Sequence, residues 1–221
     1  MRILILGGNG QTGRLVIDEA LQRGHKITAL IRDPSTIPVK NDLNIVKGTP
    51  LEPSDIEKAF NAVKGDPPTA VIVTLAAVAD KESRVMTGAY ECVIAAMKSH
   101  GVSKIATISS FGIGSSLKNI TFIMRWAIAN TSLGVKFADH NQADETLKKS
   151  GLDFVQLRPA RLTMGPKAPV TYLGDDGLRD DGKGLGIFAG LGGISRASVA
   201  GCLVDAVEKN TWDGRTPVIT N

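Results

Sequence analysis

The stretch Gly7-Gly-Asn-Gly-Gln-Thr-Gly13 follows the apolar run Ile3-Leu-Ile-Leu6 and leads into Thr12 to Arg23, where apolar residues recur at helical spacing. A glycine pattern in a strand-to-helix turn carries far more information than the same pattern in a loop. Glycines there permit a tight turn and close backbone approach, while the helix N-terminus offers unpaired N–H groups and the positive end of its dipole to an anion such as a pyrophosphate. Two registers fit, Gly8/Gly10/Gly13 as GxGxxG and Gly7/Gly10/Gly13 as GxxGxxG, and the end of the apolar run at Leu6 favours Gly7 as the first glycine. The alternative is a glycine-rich turn with no ligand.

Outward from this turn, short apolar runs alternate with longer helical segments. Strands are expected at Arg2 to Leu6, Lys26 to Arg32, Asn44 to Lys47, Ala70 to Leu75, Lys104 to Ser109 and Asp153 to Arg158. Helices are expected at Thr12 to Arg23, Pro53 to Val63, Ser83 to His100, Ala138 to Ser150 and Ala197 to Lys209, several closed by glycine (Gly24, Gly65, Gly101, Gly151), with Pro217 to Thr220 as a closing strand. Strands this apolar must be covered on both faces. The fold class that follows is α/β, a doubly wound parallel sheet of Rossmann type, in a single domain over residues 1–221. Two segments interrupt the alternation, residues 111–135 and 165–193, and both follow strands at the carboxyl edge, where ligands bind in such sheets. They are the expected substrate walls.

Composition agrees with this and narrows the function. The chain has 221 residues, 43% hydrophobic and 22% charged, enough to bury a core without disulfide or metal. Its net charge is only +4, with Lys148-Lys149 the one adjacent basic pair, which argues against nucleic acid as a partner. Cys92 and Cys202, 110 positions apart, read as buried free thiols, and His25, His100 and His140 are too dispersed for a zinc site. The longest apolar stretch, about Val71 to Ala79, is far short of a membrane span, and the opening on Ile3 leaves no room for a secretory leader, so no membrane association and a cytoplasmic location are expected.

The second strand ends in Arg32-Asp33, with Arg32 lying 19 residues past Gly13. This is the position that reads the adenosine ribose: an acid would bond the 2′-hydroxyl of NAD, an arginine the 2′-phosphate of NADP. Arg32 is the favoured reader, Asp33 its rival, and a solvated Arg32-Asp33 surface pair the third reading.

Taken together, Gly7-Gly-Asn-Gly-Gln-Thr-Gly13, Leu30-Ile-Arg-Asp-Pro-Ser35, Val93-Ile-Ala-Ala-Met-Lys-Ser-His-Gly-Val-Ser-Lys-Ile105, Ser150-Gly-Leu-Asp-Phe154 and Leu157-Arg-Pro159 resemble the atypical short-chain dehydrogenases with a single NAD(P)-binding domain. The sequence is similar to flavin reductases of the biliverdin-IXβ reductase kind and to NmrA-like proteins. The resemblance implies NADP(H) as cofactor, with Gly7, Gly10, Gln11, Thr12 and Gly13 at the pyrophosphate and Arg32 at the adenosine phosphate. It further implies Thr49, Pro50 and Leu51 beside the adenine, Leu75, Ala76 and Ala77 at the central ribose, and Pro159 as a further cofactor contact. Two departures stand out: Thr49 replaces the acid usual after the third-strand glycine, and Thr36 replaces a second basic residue often found after Arg32.

The superfamily's Tyr-x-x-x-Lys dyad, in which lysine makes the phenol a ready proton donor or acceptor, is missing. Tyr90 and Tyr172 are followed at the fourth position by Ile94 and Asp176, and Phe137-Ala-Asp-His-Asn141 stands where the motif belongs. Ser110, next to Ser109 at the end of the fifth strand, is the expected hydrogen-bond donor to the accepting group, or else closes the turn. His140 is a candidate proton donor or a surface residue. Substrate contacts are expected from Phe111, from the apolar segment Phe122 to Ile128 with Met124 and Trp126, which packs over the pocket or else forms ordinary core or a dimer face, and from Arg161, which clamps an anionic substrate or forms an ordinary salt bridge. The run Gly174 to Gly182 is acidic like a calcium loop but reaches Gly186 where an EF-hand needs glutamate, so a lid is expected instead.

The function expected from these residues is reduction of a small aromatic or conjugated acceptor, such as a flavin, quinone or polyketide, by an NADPH-dependent enzyme working as a monomer or homodimer. Two rivals remain: a non-redox cyclase or isomerase using His140 or Asp139, and a dinucleotide-sensing regulator of the NmrA type.

Overall fold

The computed structural model describes residues 1–78, 84–179, 182, 184 and 193–221. In chain order these form β1 (Arg2–Leu6), α1 (Gln11–Gln22), β2 (Lys26–Ile31), β3 (Leu43–Lys47), α2 (Pro53–Phe60), β4 (Ala70–Val73), α3 (Val85–Ser99), β5 (Lys104–Ile108), α4 (Phe122–Asn130) and α5 (Leu133–Lys148). They continue as β6 (Asp153–Pro159), β7 (Leu162–Thr163), β8 (Thr171–Tyr172), β9 (Ile194–Ser195), α6 (Arg196–Glu208) and β10 (Val218–Thr220).

The strands assemble in the order β3-β2-β1-β4-β5-β6-β10-β8, with every neighbouring pair parallel except the two-residue edge strand β8, which runs antiparallel to β10. This is the doubly wound order, and its switch point falls between β1 and β4, so a crevice opens beyond the carboxyl ends of those strands. Alternation along each strand divides the core in two. Ile3 and Ile5 face α1 and α6 in one cluster with Val16, Val199 and Leu203. Leu4 and Leu6 face the other, with Ile56, Phe60, Met86, Val93 and Leu147 from α2, α3 and α5. β1 is buried along its whole length, which is why its sequence is uninterrupted rather than alternating. Burying an aliphatic side chain contributes about 1.5 to 3 kcal/mol, so these two layers dominate the stability.

Several boundaries differ from the sequence reading. α5 begins at Leu133, not Ala138, taking the end of the expected loop into the helix. α2 stops at Phe60, whose ring stacks on His100 at 4.6 Å and so anchors the helix end against α3. β4 ends at Val73, leaving Thr74 to Ala76 free to cross the crevice. Cys202 is buried as expected, but Cys92 is only half-buried, on the rim of α3. Parts of two expected features, the start of the third helix at Ser83 and most of residues 180–192 in the second substrate wall, lie outside the described residues. Among the described residues no helix is long and apolar enough to cross a membrane.

Candidate cofactor and active site

The glycines of the β1–α1 turn divide into two physical roles. Gly7 has φ +82° and its hypothetical Cβ would lie 2.9 Å from the Thr74 carbonyl carbon, so neither the conformation nor the space admits a side chain. A Cβ on Gly13 would overlap the Gly7 carbonyl oxygen, so its absence lets α1 close onto the turn. Gly10 is different: it has ordinary angles (φ −70°, ψ 165°), and its Cβ would meet only the Gly7 oxygen, at 3.3 Å. Its missing side chain therefore leaves room for something outside the protein. This division favours the register Gly7, Gly10, Gly13.

Gly10 caps α1 without a side-chain bond, and the first turn of the helix carries no acid. Among the described residues the N–H groups of Gln11, Thr12 and Gly13 find no acceptor, whereas Arg14 N–H reaches Gly10 O at 3.0 Å. These unpaired donors adjoin a groove of about 400 Å³ lined by Gly7 to Gly10, Leu30 to Arg32, Gly48 to Leu51, Thr74 to Ala76, Val78 and Val85. The shape and donor set fit a dinucleotide. Thr49, Pro50, Leu51, Leu75 and Ala76 line the groove as expected, but the Ala77 side chain is buried in the core under α3, and Gln11 lines an adjoining hollow with Asn9, Arg14, Leu15 and Met164.

Arg32 is exposed at the groove's edge and has no hydrogen-bond or ion-pair partner among the described residues. Asp33 is spoken for: its carboxylate accepts from Ser35 N (3.1 Å) and Ser35 Oγ (2.7 Å) as the N-cap of a 3-10 turn at Pro34–Thr36. Those two bonds hold its carboxyl below the usual carboxylate range. The rival ribose reader is thus engaged locally, and the Arg32-Asp33 surface pair does not form. A carboxylate that the sequence did not single out, Asp55 of α2, takes the Thr49 N–H at 3.0 Å and fixes the strand-to-helix turn beside the groove.

Beyond β5 the chain is built around the missing dyad. Phe137 occupies the tyrosine position, its ring 3.0 Å from where a Cβ of Gly112 would stand, and Asn141 in the lysine position accepts the Gly114 N–H at 2.9 Å. Both residues face the loop after β5, where a dyad would work, but neither is a proton donor of the required kind. Tyr90 offers no substitute: it is fully buried in the core, and burial pushes its phenol up to about 12. It lies beside Thr107 and Gln156, yet none of Tyr90 Oη, Thr107 Oγ1 and Gln156 Oε1 completes a hydrogen bond of good geometry.

Ser110 is half-buried, its Oγ donating to Phe111 O at 3.1 Å, whereas the Ser109 Oγ is buried with no partner. His140 sits on α5, and its imidazole makes no hydrogen bond among the described residues. Burial lowers its imidazole below the ordinary range against an opposing pull from Asp139, so it is neutral at pH 7. Asp139 itself is a helix cap: it accepts from Met86 N (2.9 Å), Thr87 N (3.0 Å) and Thr87 Oγ1 (2.7 Å) at the start of α3.

The rim of this region rests on a buried ion pair that the sequence reading passed over. Arg158 in β6 is fully buried and donates to Asp144 of α5 at 2.7 Å, to Ser115 Oγ at 3.0 Å and to Asp175 O at 2.8 Å, so it ties both loops to the sheet. An arginine between Leu157 and Pro159 in a strand buried from Phe154 onward was the available signal. Pro159, the last residue of β6, accepts the Phe111 N–H at 3.1 Å, and the Phe111 ring covers Gly177. Arg161 is exposed with no side-chain partner among the described residues, and only its carbonyl is used, by Ile194 N at 2.9 Å. The expectation that Phe122 to Ile128 packs over the pocket is not met. α4 leans on α5 and buries none of its residues, leaving Phe122 and Trp126 81% and 57% exposed. In the acidic run, Asp175 is bound to Arg215 and Thr216 N, and Asp176 to Lys118 and Leu178 N. Among the described residues there is no cluster of three or more metal-ligating side chains.

Comparison with known proteins adds a family and a fold. A family model described as NAD(P)H-binding matches residues 7–210. A Rossmann-fold NAD(P)-binding family protein from Shigella flexneri is 23% identical, with a TM-score of 0.70 over 99% of this chain and 92% of that one. ChuY, an anaerobilin reductase from Escherichia coli O157:H7, superposes with a TM-score of 0.77 at 17% identity, covering 99% of this chain and 96% of its own. A short-chain dehydrogenase/reductase from Veillonella parvula in complex with NADP gives 0.72 at 18% identity, over 100% and 94% of the two chains.

Proposed function

Because the chain belongs to the NAD(P)H-binding family, we propose that it is an NADPH-dependent reductase of a small aromatic or conjugated acceptor such as a flavin, quinone or polyketide. The observation that carries this reading is the uncapped N-terminus of α1 opening on a dinucleotide-sized groove whose far edge holds an unpartnered arginine. The N–H groups of Gln11, Thr12 and Gly13 hold the pyrophosphate, Arg32 takes the 2′-phosphate, Thr49 to Leu51 flank the adenine, and Leu75 and Ala76 cover the central ribose. The nicotinamide ring, when bound, supplies hydride.

Ser110 then orients the acceptor by donating a hydrogen bond in place of the one it makes to Phe111 O. With Phe137 and Asn141 in the dyad positions, the described residues of the site supply no proton donor of the dyad kind. That absence favours acceptors that take their proton from water after reduction, hence the conjugated class. The non-redox reading loses Asp139, which is spent on the cap of α3, and keeps a neutral His140 only as a base, not as a ready acid. The sensor reading predicts binding without turnover. The test is consumption of NADPH by the purified protein with a panel of flavins, quinones and aromatic ketones. Turnover of an acceptor at full rate without nicotinamide refutes the reductase, and tight binding with no turnover on the whole panel favours the sensor.

A further inference from the structure

Thr36 stands where the resemblance implies a second basic residue shortly after Arg32, and Arg14 reaches that residue's carbonyl. Arg14, in the first turn of α1, extends across the gap between the glycine turn and the loop after β2. Its Nε donates to Asn9 O at 3.1 Å, and its Nη2 donates to Asn9 Oδ1 at 2.6 Å and to Thr36 O at 3.0 Å. A guanidinium has five N–H donors, and these contacts use three of them. The two on Nη1 have no acceptor among the described residues. The carboxylate one turn along the helix, Asp18, does not neutralise Arg14, because it is paired with Lys40. Asp33, the acid next to Arg32, is held by Ser35. Arg14 is therefore an exposed cation with unspent donors, lining the hollows beside the groove and fixed by Asn9, itself a groove residue, on one side and by Thr36, four residues after Arg32, on the other.

We infer that Arg14 is the second cation of the 2′-phosphate subsite: its Nη1 hydrogens and Arg32 together bind the adenosine phosphate, and Arg14 contributes to the choice of NADPH over NADH. This rests on the assignment of Arg32 given above. The physical reason is charge balance. A 2′-phosphate is close to dianionic at pH 7, and two guanidinium groups offering charge-assisted bonds match it better than one. Pinning the side chain before the ligand arrives also removes much of the rotamer entropy that a free arginine would lose on binding.

The test is isothermal titration of the unmutated protein, Arg14→Gln, Arg14→Lys and Arg32→Ala with NADPH and with NADH, and circular dichroism melting of each. Arg14→Gln should weaken NADPH binding by about 10- to 100-fold, the loss expected for hydrogen bonds to a charged group, while NADH affinity changes by less than about threefold. Arg14→Lys should recover part of the loss, because it keeps the charge but not the fork. Equal weakening for both cofactors would make Arg14 a staple between two loops and overturn the inference. So would an NADPH preference that survives in Arg14→Gln but vanishes in Arg32→Ala, which would leave the Arg32 assignment intact. If the unmutated protein shows no preference at all, the Arg32 assignment itself fails and the Arg14 inference with it.

Discussion

Gly10 and Gly13 lie three residues apart in one turn, yet the structure demands opposite outcomes when each is substituted. In Gly13→Ala the new methyl would overlap the Gly7 carbonyl oxygen and lie 2.8 Å from both Gly8 Cα and Thr74 Oγ1. Two of those three neighbours are backbone, so α1 must withdraw from the turn by about 1 Å, an overpacking cost of about 1 to 3 kcal/mol. The helix-propensity gain of alanine over glycine, about 1 kcal/mol, offsets part of it. The net should be about 0 to 2 kcal/mol of destabilisation, or up to about 8 °C in Tm for a chain of this size. In Gly10→Val the angles φ −70° and ψ 165° suit any residue, and the nearest atom to the Cβ is 3.3 Å away. Reduced unfolded-state freedom stabilises by about 0.4 to 1 kcal/mol, and loss of a good N-cap residue costs a similar amount, so folding should be nearly unaffected. The valine side chain, however, fills the space the pyrophosphate needs. Losing two charge-assisted bonds to the N–H groups of Gln11 to Gly13, at about 1.5 kcal/mol or more each, weakens NADPH binding by at least about 100-fold. Thermal melting by circular dichroism and titration by NADPH fluorescence read the two effects separately. A Gly10→Val protein that binds NADPH like the unmutated one, or a Gly13→Ala protein more stable than the unmutated one, refutes the division of roles.

Arg32→Ala should remove most of the NADPH preference, at a loss of about 1.5 to 3 kcal/mol in NADPH affinity measured by calorimetry, with NADH little changed. Ser110→Ala should lower turnover by about 10- to 100-fold, the loss of one oriented hydrogen bond, without abolishing hydride transfer followed as NADPH oxidation. His140 binds fewer protons in the folded than in the unfolded chain because its folded value is lowered, so its contribution to stability is complete above about pH 6.5 and is lost as the pH falls below that. His140→Gln should accordingly flatten the fall of denaturant-measured stability below that pH, and an unchanged slope contradicts the burial argument. Asp139→Ala removes three hydrogen bonds from the start of α3 and should cost about 2 to 3 kcal/mol, seen as a Tm lower by about 4 to 12 °C. A drop smaller than this would show that the cap is dispensable.

Local chemistry in the sequence determined the sheet, its doubly wound order and the cofactor end of the site. A buried parallel strand must be apolar throughout, a crossover helix must repeat near 3.6 residues, and a strand-to-helix turn that approaches an anion must be glycine, so Ile3 to Gly13 reads the same in the chain as in space. The absence of the Tyr-Lys dyad was equally legible, because a fixed four-residue spacing on one helix is a local property. What the sequence left open were partnerships between distant residues. That Asp139 caps a helix starting 54 positions earlier at Val85, that Arg158 grips Asp144, Ser115 and Asp175, that Asp33 turns back on Ser35 and leaves Arg32 alone, and that Arg14 crosses to Thr36 are facts of side-chain geometry. The same holds for α4, whose apolar residues suggested a pocket cover yet lie exposed beside α5, since hydrophobicity says that a side chain favours burial but not which surface reaches it. A charged or polar group is a ligand contact, a cap or a structural ion pair according to which donors and acceptors the fold places within about 3 Å of it, and only the tertiary structure sets that distance.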